Sequence, residues 1–101
     1  MAGIVATVVY SARSLEQLEQ ALQFLRAETP ETALNAAAAI QSAVEHLAAH
    51  PIIGRRVEGD LRELVISYGK TGYLALYRFV VRRDEVRILA LRHQRDLGYV
   101  P

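Results

Sequence analysis

The sequence predicts an α+β fold of order β-α-α-β-β-β, a two-helix hairpin packed on an antiparallel sheet. Three observations point there. After a short β-branched run, the first half repeats its apolar residues at helical spacing in two segments separated by Thr29-Pro30. From Pro51 onward the period changes from about 3.6 to 2. The second half carries two tight-turn signals, Gly69-Lys70-Thr71-Gly72 and Arg82-Arg83-Asp84-Glu85, which join successive strands as hairpins.

Each element has its own signature. Ile4 to Tyr10 is β-branched and free of turn formers, the pattern of a mostly buried first strand. Ser14 followed by Gln17 has capping-box spacing, and Leu15, Leu18, Leu22 and Leu25 then fall on one helical face, with Glu16, Gln20 and Gln23 outward. This helix ends near Glu28. Thr29-Pro30-Glu31 opens the second: a capping hydroxyl, a proline whose missing N–H costs nothing at the first helical position, and an acid at the positive end of the dipole. Its apolar stripe is Ala33, Ala37, Ile40, Val44 and Leu47, the alanine run 36–39 predicts close helix approach, and His50-Pro51 stops it. Gly54, Gly59 and Asp60 mark a loop leading to the second strand, where Leu64, Ile66 and Tyr68 alternate with Glu63, Val65 and Ser67. Tyr73 to Val81 is apolar on both faces except for Arg78, which places it at the centre of the sheet. Val86 to Leu91 forms the fourth strand.

Length and composition bound the function. At 101 residues and 51% hydrophobic, residues 1–101 fit one domain able to bury a core without disulfide or metal staples. The absence of cysteine excludes thiol catalysis and thiolate zinc sites. The apolar start lacks a basic leader and falls far short of the ~20 residues of a membrane span, so a cytoplasmic protein with no membrane partner is expected. The net charge of +1 hides an asymmetry: residues 1–50 hold two arginines against five glutamates, whereas residues 51–101 hold ten Lys+Arg against six acids. Eleven of the twelve basic residues are arginine, which pairs in a planar fork with phosphate or carboxylate and so points to an anionic partner for the second half.

Arg78 stands out as a guanidinium in an apolar strand, to be paired with an acid or turned to a partner, and Glu63 on the adjacent strand is its expected mate. Arg62, Arg92, His93 and Arg95 sit at strand ends and with Tyr99 can converge on one sheet edge, where arginines would neutralise phosphate and His93 or Tyr99 would move protons. His46 and His50 have the i, i+4 spacing that serves a metal but no third ligand, and a cation at a helix C-terminus is favourable by itself. No metal or small-molecule cofactor is expected. Gly-Lys-Thr at 69–71 lacks the rest of a phosphate loop and joins strand to strand.

Three stretches, His50-Pro51-Ile52-Ile53-Gly54-Arg55, Leu61-Arg62-Glu63-Leu64 and Gly72-Tyr73-Leu74-Ala75-Leu76-Tyr77-Arg78-Phe79, followed by Ile88 to Arg95, give the whole chain a resemblance to the ParE/RelE toxins of bacterial toxin-antitoxin pairs. The resemblance implies a small cytoplasmic toxin held in check by a cognate antitoxin. In the RelE-like branch such a toxin is a ribosome-dependent mRNA endoribonuclease. In the ParE-like branch it poisons DNA gyrase. The RelE-like pattern places lysines on the second strand and an arginine directly after the Gly-Tyr, where this sequence has only Arg62 and then Leu74. Tyr77-Arg78 and Leu91-Arg92-His93-Gln94 are similar to the ParE branch, with Arg62, Arg78, Arg92, His93 and Arg95 as the target-binding residues. The nuclease alternative, with ribosome and mRNA as partners, would use Arg62, Arg78 and Arg95 on the phosphate and His93 or Tyr99 for protons. A third reading is a degenerate copy that survives only as its antitoxin's partner.

Overall fold

The computed structural model describes residues 5–68 and 71–94, with the side chains of Tyr68 and Thr71 left aside. The order is β1 (Thr7–Tyr10), α1 (Ala12–Glu28), α2 (Pro30–Ala49), β2 (Arg55–Glu58), β3 (Leu61–Tyr68), β4 (Thr71–Val80), a 3-10 turn (Val81–Arg83) and β5 (Glu85–His93). The sheet order is β1-β5-β4-β3-β2, with β4 at the centre as the sequence indicated. The predicted class holds, with two differences. The sheet is mixed, because β1 runs parallel to β5 while the other pairings are antiparallel. Local turns fix the relative directions of β3, β4 and β5, but β1 meets β5 across the whole chain and its direction is set by the helical hairpin. The second difference is β2, expected as loop: all four of its residues are exposed, so it has no alternation for a periodicity to detect.

The helices begin where side chains can satisfy their first N–H groups. In α1 the cap is Ser11, whose Oγ accepts from the Ser14 N–H at 3.0 Å; Ser14, expected as the cap, lies inside the helix and is fully buried. Leu15, expected on the buried face, is 51% exposed, since the stripe that packs on the sheet runs through Ser14, Leu18, Ala21 and Leu25 and leaves Leu15 at its edge. In α2 the cap is Thr29 with Pro30 behind it, as read from the sequence, and His50 ends the helix. The first strand is half-buried rather than mostly buried, with Thr7 and Val9 exposed and Val8 and Tyr10 turned inward.

Both helices cover one face of the sheet. Leu25, Ala33, Ala36 and Ile40 pack on Ile66, Tyr73, Ala75 and Leu91. Leu47 packs with Ala6, Tyr77, Val86 and Ile88 in a second cluster, and Val44 and Leu64 join the two. The β4–β5 register slips between Leu76 and Tyr77, leaving Leu89 as an extra residue on β5. Side chains of α1 and of its cap bond to backbone groups around this bulge. Ser11 Oγ donates to the Leu89 carbonyl, Ser14 Oγ to that of Ile88, and the Leu91 N–H donates to Gln17 Oε1 at 2.8 Å.

Candidate functional site

Alternation along β4 sorts the candidate residues by face. Tyr73, Ala75 and Tyr77 belong to the core under the helices, so Leu74, Leu76, Arg78 and Val80 line the open face. The registers extend the assignment to the neighbouring strands. Arg62 lies opposite Tyr77 and His93 opposite Tyr73, both on the covered side; Arg92 lies opposite Leu74 on the open side.

Arg62 is committed to the fold. Its Nη1 donates to the carbonyls of Gly54 at 2.9 Å and Ile52 at 3.2 Å. Beside it the Gly54 N–H donates to the Tyr77 hydroxyl at 2.8 Å, and Tyr77 is fully buried. A methyl group on Gly54 would stand 2.6 Å from the Tyr77 ring and hydroxyl, so only glycine permits this approach. Burial raises the Tyr77 pKa above its ordinary value, against the smaller lowering effects of the Gly54 bond and the Arg62 charge. Burial likewise raises Tyr10. Neither phenol is tuned toward neutral pH, where a proton carrier would work.

Arg78 does not pair with Glu63. Its Nε donates to Asp60 Oδ1 at 3.0 Å, while Glu63 is taken by Arg55 at 2.8 Å, because the β2–β3 register sets Arg55 directly across from it. Arg87, opposite Arg78, is held by Glu85 at 2.8 Å. Arg92 is exposed, and the His93 ring meets the buried Tyr73 edge-on at 5.2 Å between centroids. Arg95 and Tyr99 lie outside the described residues. The expected convergence on one edge is therefore not found among the described candidates. On each face the pair is separated by four residues along β4, about 13 Å at ~3.3 Å per residue: Arg62 from His93, and Arg78 from Arg92.

The open face combines exposed Val65 and half-buried Leu61, Leu76 and Val80 with arginines at its margins, while Leu74 on the same face is buried. His46 and His50 stand 4.9 Å apart between ring centroids, and the described residues contain no group of three or more metal-ligating side chains. No described helix is long and apolar enough to cross a membrane. The lock of Gly54, Tyr77 and Arg62 was not foreseen; the motif that contains Gly54 was visible in the sequence, but its contact with Tyr77 spans 23 residues of chain.

Comparison with known proteins sharpens the picture. Residues 8–98 match the family described as the ParE toxin of type II toxin-antitoxin system, parDE. The curated Toxin RelE3 of Caulobacter vibrioides is 36% identical over 87 residues, covering 86% of this chain and 92% of that protein. Among solved structures, the chromosomal ParDE system of P. aeruginosa aligns with a TM-score of 0.70 at 21% identity, covering 91% of this chain and 98% of that one. The RelBE2 toxin-antitoxin complex of Mycobacterium tuberculosis aligns at 0.62 with 22% identity, covering 90% and 100%. These two likenesses show the fold.

Proposed function

The chain belongs to the ParE/RelE family of type II toxin-antitoxin toxins, and from that premise we propose that it is a ParE-like toxin that arrests growth by binding and poisoning DNA gyrase. Residues 1–101 act as one toxin domain in the cytoplasm, and a cognate antitoxin neutralises it. The solved structures of similar fold come from toxin-antitoxin systems, which supports the antitoxin as partner.

The observation that carries the gyrase reading is the separation of the candidate catalytic groups among the described residues, Arg62, Arg78 and His93. Cleavage of an RNA phosphodiester by acid-base chemistry needs cations and a proton carrier within hydrogen-bond reach of one reacting centre. Arg62 and His93 are offset by four residues along β4, about 13 Å at ~3.3 Å per residue, and stand on the two strands that flank it; Arg62 is engaged by two carbonyls, and Arg78 is on the other face. What the open face offers is an apolar strip with charged margins, the composition of a protein-binding surface, with Arg78 and Arg92 as target contacts.

Labelled thymidine and methionine incorporation, followed for minutes after induction without antitoxin, tests the reading. Early loss of thymidine incorporation while protein synthesis continues is the expected result. Early loss of methionine incorporation would replace it with the ribosome-dependent nuclease, making His93, Arg95 and Tyr99 the residues to mutate.

A further inference from the structure

We propose that Ile52 and Ile53 form a fixed apolar anchor that seats in a preformed, carboxylate-rimmed pocket of the toxin's folded protein target; this rests on the gyrase reading. The two residues are 62% and 47% exposed. Large apolar side chains left in water at adjacent positions mark a contact surface when their backbone is held in place. Here four hydrogen bonds hold three residues. The Ile53 N–H donates to the His50 carbonyl at 3.1 Å, the Gly54 N–H to the Tyr77 hydroxyl, and Arg62 to the carbonyls of Ile52 and Gly54. With the backbone ordered before any partner arrives, the entropic cost of docking is reduced, which is how a small contact gains affinity.

The surroundings specify the partner's chemistry. Arg56, exposed and without an ion pair among the described residues, lies directly opposite Arg62 in the β2–β3 pairing. Like charges facing each other across strands are unfavourable, so carboxylates from a partner would relieve this corner. The exposed rings of His46 and His50 lie just before the loop and add no negative charge. Shape selects the kind of partner. Two side chains that project from a backbone already held in place fit a cavity that the other protein already possesses, as a folded enzyme does.

The test measures binding of the full-length chain to immobilised, purified DNA gyrase. The double variant Ile52→Ser/Ile53→Ser is expected to lose at least about 30-fold in affinity with an unchanged thermal midpoint, in the range of hot-spot truncations. Phe24→Ser/Leu34→Ser, which removes residues 68% and 70% exposed on the helical hairpin, is expected to lose less than about threefold. Arg56→Glu, which leaves the anchor intact, is expected to lose about tenfold at low salt and less at high salt. If the parent binds gyrase and the double serine variant binds equally well, the anchor is wrong and the gyrase reading stands. If the parent shows no binding to gyrase, both fall together. An equal loss of capture by co-expressed antitoxin would assign the patch to the antitoxin and overturn the proposal. A parent dimer that becomes a monomer on substitution would assign it to a second copy of the chain, with the same consequence.

Discussion

The two faces of the sheet use the same residue type for opposite purposes. On the covered face, Arg62 is half-buried and hands its protons to two backbone carbonyls, and among the described residues no buried side-chain polar atom is left without a partner. On the open face, Arg55, Arg78 and Arg87 hold carboxylates in ion pairs whose arginine side chains are 71%, 43% and 50% exposed. Exposed pairs of this kind contribute little to folding, because water screens them and ordering two long side chains costs entropy. Arginine content therefore says that a chain can meet an anion; the face each arginine occupies says whether it is free to do so.

Substitutions can break that contrast. The largest effect is expected at the covered corner, where Gly54→Ala forces a methyl group to within 2.6 Å of Tyr77 and 2.9 Å of the Glu63 carbonyl. A loss of about 3 kcal/mol in urea denaturation is expected, as for overpacked cores; a loss below about 1 kcal/mol would mean that the corner yields easily. Next comes Tyr77→Phe, which leaves the buried Gly54 N–H unpaired and is expected to cost about 2 kcal/mol on the same measurement. By contrast, Arg78→Gln and Arg87→Gln on the open face are each expected to change stability by no more than about 0.5 kcal/mol. A larger loss from either would show that the open-face pairs belong to the folding architecture as well.

The smallest effect is alkaline. Tyr77 and Tyr10 are raised from the ordinary value of 10.0, with burial as the leading cause. The folded chain then keeps phenolic protons that the unfolded chain releases, so this contribution is complete below pH 10 and fades as pH rises through the folded values. Urea midpoints on the two sides of pH 10 should show the decline, and Tyr77→Phe should make it shallower. A midpoint that stays flat across this range would remove burial of the phenols as a factor.

Local chemistry made most of the fold legible. Thr29-Pro30 encodes the start of α2 within four residues, and the apolar run with Arg78 correctly placed β4 at the centre. Ser14 misled because two serines stand three residues apart, and the tertiary demand of the β5 bulge drew Ser14 inward and left Ser11 as the cap. The candidate site was less legible. Arg62, Arg92 and His93 do lie near strand ends, but a position along a strand does not fix which end of the sheet, or which face, it shares with another strand until the register is known.

By itself, the sequence determined the helical hairpin, the succession of hairpin-linked strands, the charge asymmetry between the halves and the resemblance to the toxin family. All of these rest on interactions or patterns within a few residues, or on composition. Only the tertiary structure decided that β1 runs parallel to β5, that Asp60 rather than Glu63 holds Arg78, and that Gly54 closes on Tyr77. Each of these joins residues far apart in the chain, and their pairing follows from strand register and packing, which exist only once the layers have come together.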